Sequence, residues 1–307
     1  MSDDTIQHTE IASDDIGAAD PQPYTGPLLA MLHAGDPRPQ GDGMGGTVES
    51  WWDYAARFGI GPEHADDLIR MATDEALLLD AGEPGCWAPV HAWRALGQLR
   101  AKAAIAPLLD MLNVIDRFDD DWGFEEIPEV IGMMGVDAVD PALHFAADRN
   151  NRLYARIAAL RAPKEAMRHA APSAERTSLW IAALRSMLDR CDEESPAFNA
   201  FVIASFIDLR ATDALDDIRR AFEGGHVDEL VCGDWEDVCA EMHGLPPPPR
   251  KRPPAHLLRA GPATSAAGSG DARGLSAVAG EPIARMQQQW NKARKQRDRK
   301  QRKNRRK

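Results

Sequence analysis

The densest group of carboxylates in the sequence lies just before and within the first turn of one predicted helix. Its members are Asp119, Asp120, Asp121, Glu125, Glu126 and Glu129. Clustered carboxylate oxygens are the ligands that hard divalent cations take, but the spacing is not that of a calcium loop. Acidic side chains at a helix N-terminus interact favourably with the helix dipole, and each stabilises the helix by about 0.3 to 1 kcal/mol. We expect helix capping here, and the candidate partner-binding acids are Asp119, Asp120, Asp121, Glu125 and Glu126.

Aromatic rings and one imidazole recur on neighbouring predicted helices, where they could line a groove for a ligand or peptide. The rings are Trp87, Trp93, Trp122 and Phe124. Aromatic side chains at such positions usually belong to the core. If Val90 and Leu96 define the buried stripe of the first helix, His91 points outward. His91 and Trp93 are therefore the other two candidate partner-binding residues.

Cysteine and histidine side chains near the end of the predicted helical region suggest a possible metal site. Cys232, Cys239 and His243 share one helical face, and His226 lies shortly upstream. Structural zinc sites generally use closely paired cysteines, and this pairing is missing. We expect two buried thiols instead. The sequence has no recognisable catalytic triad, phosphate-binding glycine loop or catalytic thiol context, so we assign no catalytic residue, cofactor or metal ligand.

The C-terminal segment is strongly basic. Residues 285–307 hold 12 Lys/Arg against Asp298, which gives +11, so the rest of this −12 chain carries −12 − 11 = −23. Such segments bind polyanions by counterion release, and an indole can stack on a base. The candidate polyanion-binding residues are Trp290, Arg294, Lys295, Arg297, Arg299, Lys300, Arg302, Lys303, Arg305, Arg306 and Lys307. A solubilising terminus, or one that folds back on the acidic body, is the alternative.

The elements that position these residues are repeated helix pairs. The segment 87–112 matches 122–145 at an offset of 35 residues, which shortens by one at the turn between the helices, and 201–222 gives a third match. A degenerate copy, 153–188, fills the gap. Repeats of this length predict an all-α fold, an α-solenoid of about five stacked helix pairs. Pro107 and Pro141 are expected in the first turn of each second helix.

The chain divides into four predicted regions. Residues 1–46 are acidic, mostly disordered and carry one short helix at Leu28–Leu32; residues 47–245 form the solenoid; 246–282 are a linker rich in Pro, Ala and Gly; and 283–307 are the basic tail. Val227–Met242 is expected to form one acidic capping helix. The sequence contains no apolar run near the ~20 residues that span a bilayer and no secretory pattern. With four cysteines and no disulfide framework, a cytoplasmic protein is expected.

Several motifs resemble known families. The segment 87–99, whose helix ends in Ala95-Leu96-Gly97, resembles the HEAT-like repeat of the phycobilin lyase group. With Gly59–His64, Asp121–Glu126 and Gly233–Asp237, the stretch 24–242 resembles the bacterial family called domain of unknown function 1186. This resemblance implies a fold and little about activity. Deoxyhypusine hydroxylase-like HEAT proteins use His-Glu dipeptides at a di-iron site, and the sequence contains none.

Three functions remain open at this point. The leading hypothesis is a non-catalytic scaffold that binds a protein through the solenoid surface, with the basic tail adding electrostatic affinity. The second is an RNA- or ribosome-associated factor anchored by the tail. The third, a bilin lyase-like enzyme, needs a bound chromophore. The sequence does not predict the oligomeric state.

Overall fold

The computed structural model describes residues 24–37, 48–79, 82, 84–118 and 120–246, and these residues form helices, turns and loops without a strand. The all-α prediction is confirmed for this part of the chain. Of the predicted disordered segment 1–46, residues 1–23 and 38–46 lie outside the described residues, as do most of the linker and the whole basic tail. No helix within the described ranges combines the length and apolar character needed to cross a membrane.

The helices are α1 (Gly26–Leu32), α2 (Tyr54–Phe58), α3 (Ala65–Ala72), α4 (Glu75–Leu79), α5 (Ala88–Leu99), α6 (Ile105–Phe118), α7 (Asp121–Met133), α8 (Val139–Ala147), α9 (Leu153–Ala159), α10 (Ala162–His169), α11 (Ala174–Leu188), α12 (Pro196–Asp208), α13 (Leu215–Glu223), α14 (Glu229–Cys232) and α15 (Trp235–Met242). Short 3₁₀ turns lead directly into α3, α5, α6, α8 and α13. The predicted first and second helices of the repeats correspond to α5 and α6, α7 and α8, and α12 and α13.

The turn between the two helices has a positive φ at the aligned position of all three copies: Arg100, Gly135 and Arg210 have φ values of 51°, 91° and 50°. The first and third copies share the turn itself, because the amide of the next residue, Ala101 or Ala211, donates to the carbonyl of Leu96 or Phe206. Gly135 has ψ −173°, against 43° for Arg100, so the turn of the second copy has a different backbone conformation. Pro107 and Pro141 lie at the third residue of α6 and of α8, as predicted.

Glycine at the end of the first helix permits close packing in two copies. A Cβ atom on Gly97 would lie 2.9 Å from the sulfur of Met133 in α7. A Cβ atom on Gly132 would lie 2.4 Å from Cβ of Glu165 in α10 and 2.8 Å from its carbonyl carbon. Each of these two glycines therefore permits close contact with a following helix of the array, α7 for Gly97 and α10 for Gly132. A single apolar core runs from Leu28 to Met242.

Local sequence determines where several helices begin and end. Asp53 caps α2 through its side chain and leaves Trp51 ahead of the helix. The degenerate copy contains an additional helix, α10, which packs on α7. The prediction of a single capping helix over 227–242 is wrong: Gly233, at φ 85°, ends α14, and the side chain of Asp234 caps α15.

We predict that Gly132→Ala destabilises the protein, because α7 and α10 must separate to admit the methyl group. Overpacking of this kind costs about 1 to 3 kcal/mol. Urea unfolding monitored by circular dichroism measures the change. Gly82→Ala is the control, since a Cβ atom there meets nothing within 4 Å. Equal stability of the two variants would contradict the close contact between α7 and α10.

Candidate functional site

A buried ion pair fixes the orientation of α7 against α5. The Arg94 guanidinium is fully buried and binds the buried Glu126 carboxylate through two nitrogens: Nε donates to Oε2 at 2.8 Å, and Nη2 donates to Oε1. The indole Nε1 of Trp93 donates to the same Oε2 at 2.9 Å. Bidentate guanidinium pairs constrain geometry strongly. The rotation of α7 about its own axis is thereby set.

With Glu126 turned inward, three other carboxylates lie along the neighbouring face of α7. Asp121, Glu125 and Glu129 follow one another at four-residue spacing, which places them on one side of a helix, and all three are half-buried. We call these three residues the acidic row. Like charges at this spacing repel one another, so the row favours a positively charged neighbour.

Burial and crowding change the acidity of the row. Burial, and then the nearby carboxylate of Asp121, raises the pKa of Glu125, while Arg161 opposes the change. Burial is also the first cause of the raised pKa of Glu129, about 7, with Glu165 as the second cause. Near neutral pH Glu129 is therefore only partly ionised.

Cations of the next helical unit flank the row. Arg161, just before α10, donates from Nη1 to the carbonyl oxygen of Phe124 at 3.2 Å. Arg168 of α10 lies 3.0 Å from Glu165 and 3.8 Å from Glu129. Its side chain is 61% exposed, so it can move away from the row without opening the core.

The predicted acids have different roles in the structure. Asp120 caps α7, where its side chain accepts from the amides of Trp122 and Gly123 at 3.1 and 3.3 Å; this confirms the capping interpretation. Asp121 and Glu125 belong to the acidic row. Glu126 is wrong as a partner-binding residue, because its carboxylate is buried against Arg94. Asp119 lies outside the described residues.

The expectation that His91 points outward is wrong. His91 is fully buried; Nε2 donates to the Gly35 carbonyl at 2.8 Å, and Nδ1 accepts from the Tyr54 hydroxyl at 2.9 Å. Its ring stacks on Trp52 at a centroid distance of 4.9 Å. Burial lowers its pKa to about 4, so it is neutral at physiological pH.

Trp93 is buried as well and is therefore also wrong as a partner-binding residue. Both errors have one physical reason: all residues of α5 from Ala88 to Gly97 are buried, because chain segments cover this helix on every side. Trp87 and Trp122 pack edge to face at 5.1 Å, which agrees with the core interpretation of the aromatic positions.

The cysteines near the end of the helical region and the basic tail are the remaining predicted sites. The prediction of two buried thiols is confirmed for Cys232 and wrong for Cys239, which is only half-buried. Burial raises the pKa of the Cys232 thiol to about 12, and partial burial also raises the pKa of the Cys239 thiol. Among the residues that the structure describes, no three His, Cys, Asp or Glu side chains are grouped to hold a metal ion. All eleven candidate polyanion-binding residues, from Trp290 to Lys307, lie outside the described ranges.

An open groove of about 410 Å³ lies beside the buried network, between residues 48–60 and the C-terminal half of α5. The amide of Gln98, which lines it, donates to the Trp52 carbonyl at 2.8 Å and accepts from the Tyr54 amide at 3.1 Å. The Asp53 carboxylate caps α2. The Gln98 amide thus holds residues 52–54 against α5, while the Asp53 carboxylate serves only its own helix.

Sequence reasoning missed three residues on which the site depends. Arg94 binds Glu126, Tyr54 binds His91, and Glu165 crowds Glu129. Only Arg94 carries a signal in the sequence, since a charged residue within the apolar run of α5 requires a buried counter-charge. The other two partners come from helices that are distant in the sequence.

Comparison of the chain with protein-family models, curated proteins and solved structures gives no match. The resemblance to HEAT-like repeats therefore stays a prediction. Any function has to be argued from the geometry and chemistry of the site itself.

We predict that breaking the buried pair is costly and that removing both charges is not. Arg94→Met or Glu126→Gln alone should lower the free energy of unfolding by about 3 to 5 kcal/mol, because each leaves an uncompensated buried group. The double variant Arg94→Met, Glu126→Leu should recover most of the loss. Urea unfolding checks this.

The exposed pair of Lys102 and Asp137, 2.8 Å apart, provides the control. Lys102→Met should change stability far less, because exposed ion pairs contribute little. Similar losses for Lys102→Met and Arg94→Met would contradict the importance of the buried pair.

We predict that Glu129→Gln stabilises the protein above pH 7 and has little effect below about pH 4.5. The folded-state pKa of Glu129, about 7, exceeds its ordinary value of 4.5. Folding therefore favours the protonated form of Glu129. As the pH rises through the folded-state pKa, the carboxylate ionises in its half-buried position and the stability of the native protein falls. The uncharged Gln does not ionise and avoids this loss. Melting temperatures at pH 4.5 and 8 measure the effect. Glu175→Gln, at an exposed position, is the control; an equal pH dependence in both variants would contradict the prediction.

Proposed function

We propose that this chain is a non-catalytic scaffold, an α-solenoid of HEAT-like helix pairs, that binds a basic segment of another protein through the acidic row on α7. The half-buried row of Asp121, Glu125 and Glu129 is the observation that carries the proposal.

Side-chain links about one repeat apart support the stacking of consecutive units. Asn113 donates to Asn151, 38 residues on, at 3.0 Å, and Arg156 donates to Glu194, also 38 residues on, at 2.8 and 3.0 Å. Lys102 reaches Asp137, 35 residues on, at 2.8 Å. In a solenoid each repeat contacts its neighbours, and the stack presents extended surfaces to partners.

A cationic partner is the class that fits the row. Burial has removed part of the water that stabilises these carboxylates, and this is the first cause of the raised pKa values of Glu125 and Glu129. A Lys or Arg side chain placed between them would favour their ionised forms. The exposed Arg168 can yield its position to such a group. A short segment rich in Lys or Arg, with several charges at helical spacing, would fill the row.

The raised pKa of Glu129 would also suit a general acid or base. We favour binding over catalysis because structural ion-pair networks perturb pKa values in the same way. The neighbours of Glu129 form such a network: Arg168 lies 3.0 Å from Glu165, and Glu165 is buried against α7. Burial, with crowding by Glu165 as the second cause, thus accounts for the raised pKa of Glu129 without a reaction.

The composition of residues 285–307 favours a second candidate function, the binding of RNA or the ribosome. Twelve Lys/Arg against one Asp make a segment that binds phosphates by counterion release. The two functions use different parts of the chain, and different variants separate them.

We predict that Glu125→Gln with Glu129→Gln weakens binding of a fluorescein-labelled Arg/Lys-rich octapeptide to the full-length protein by at least about tenfold, the value of 1.4 kcal/mol in affinity. Fluorescence anisotropy measures it. The glutamines relieve the crowding of the row, so the variant should fold. Glu175→Gln with Asp216→Asn, a matched loss of two exposed acids, should bind as the native chain does. Equal affinity in all three proteins would contradict the proposal.

Affinity capture with and without nuclease tests the second function. If residues 294–307 bind RNA, a full-length variant with Gln at each Arg and Lys of that stretch should lose its nuclease-sensitive partners and keep nuclease-resistant ones. Unchanged capture would contradict a role of the basic tail in nucleic-acid binding.

A further inference from the structure

The last described part of the chain, residues 227–246, is uniformly acidic. It contains no Lys or Arg, and its six acids are Asp228, Glu229, Asp234, Glu236, Asp237 and Glu241. We call this part the acidic cap. It comprises α14, which packs on α12, and α15, which packs on α12 and α13. The acidic cap thus closes the described array of helices.

Elsewhere in the array, several acids pair with cations of a neighbouring unit on either side. Glu75 pairs with Arg117, 42 residues on, at 2.5 Å, whereas Glu194 pairs with Arg156, 38 residues before it, at 2.8 Å. Among the described residues no unit follows the acidic cap to supply such a cation. Glu229, Glu236 and Glu241 are exposed, and none of the described ion pairs includes them.

The cations nearest to the acidic cap already have other contacts. Arg219 lies over the ring of Trp235 at 5.1 Å, and Lys164 pairs with Asp208 at 2.9 Å. Although the Glu241 side chain is exposed, partial desolvation of its carboxylate, followed by the charge of Asp208, raises its pKa, and Lys164 opposes the change.

The acidic cap also exposes apolar side chains. Leu230 is 73% exposed and Leu245 is 60% exposed. Terminal repeats of an array normally present a polar outer face, and these two leucines depart from that pattern. A ligand for this surface would combine positive charge with a few apolar groups.

We propose that the acidic cap is the docking surface for the chain's own basic segment, residues 283–307. Residues 285–307 carry +11 against the six acids of the cap, and Ile283, Met286 and Trp290 have the i, i+3, i+7 spacing of one helical face. The basic segment therefore combines positive charge with apolar side chains, as a ligand of the acidic cap must.

The connection between the two parts favours their contact. Residues 247–282 join them, and a random-coil chain of this length spans on the order of 35 Å. Tethering at such a distance gives an effective concentration in the millimolar range. Even a weak, salt-sensitive contact would then be occupied most of the time, and polyanions would have to displace the segment from the acidic cap. The acidic row on α7 takes no part in this contact.

Zero-length carbodiimide cross-linking of the full-length protein tests the contact, because it joins a Lys amine to a carboxylate only where the two touch. We expect Lys292, Lys295 and Lys300 to link to acids of the acidic cap, and 0.5 M NaCl to suppress the products. Mixing ¹⁵N-labelled with unlabelled protein shows whether a link joins two copies. Links between copies, links to the acidic row, links scattered over the surface or an absence of links would overturn the proposal.

Trypsin cleavage within residues 285–307 provides a second readout. In the full-length variant Glu229→Gln, Glu236→Gln, Glu241→Gln, we expect cleavage about fivefold faster than in the native chain, since proteolysis follows the population of the undocked segment. The matched control Asp66→Asn, Glu175→Gln, Asp216→Asn removes three exposed acids elsewhere and should leave the rate unchanged. Equal rates in the two variants would overturn the proposal.

Discussion

The buried ion pair between Arg94 and Glu126 is the constraint on which the rest of the site depends. A helix packed only by apolar side chains can turn about its axis with modest repacking, whereas a bidentate pair permits one orientation. The pair directs Glu126 inward, and the spacing of α7 then places Asp121, Glu125 and Glu129 beside α10. The acidic row is therefore a consequence of how the core is built, and its partial burial follows from the same orientation.

The repeat preserves the turn between its helices in two of the three copies. Arg100 and Arg210 both have positive φ, and the amide that follows each donates back to the first helix in the same way, whereas Gly135 in the second copy has ψ −173°. The close-packing glycine also occurs in two copies: Gly97 and Gly132 have it, and the aligned residue of the last copy is Ile207. Glycine is needed only where a following helix comes within contact distance, as α7 does at Gly97 and α10 does at Gly132.

Much of the fold could be predicted from the sequence, because helix periodicity and proline position are local signals. The helix pairs, the first-turn positions of Pro107 and Pro141 and the capping role of Asp120 all depend on nearby residues. The environment of His91 could not be predicted, since it depends on the Gly35 carbonyl and the Tyr54 hydroxyl, 56 and 37 residues away. Glu129 was recognisable as an acid, but its raised pKa depends on Glu165 across an interface between helices.

The two ends of the described array differ in how they are covered, and this difference bears on the role of the basic segment. At the N-terminal end, residues that precede α5 cover that helix. The Gly35 carbonyl accepts from His91, Trp52 stacks on the His91 ring, and the Gln98 amide holds Trp52 in place. At the C-terminal end α15 is the last described helix, and the exposed Glu229, Glu236 and Glu241 of the acidic cap belong to none of the described ion pairs. Residues that precede α5 in the sequence cover the N-terminal end of the array. Residues that follow α15 can cover the C-terminal end in the same way, and the positive charge of residues 283–307 complements the acids of the acidic cap.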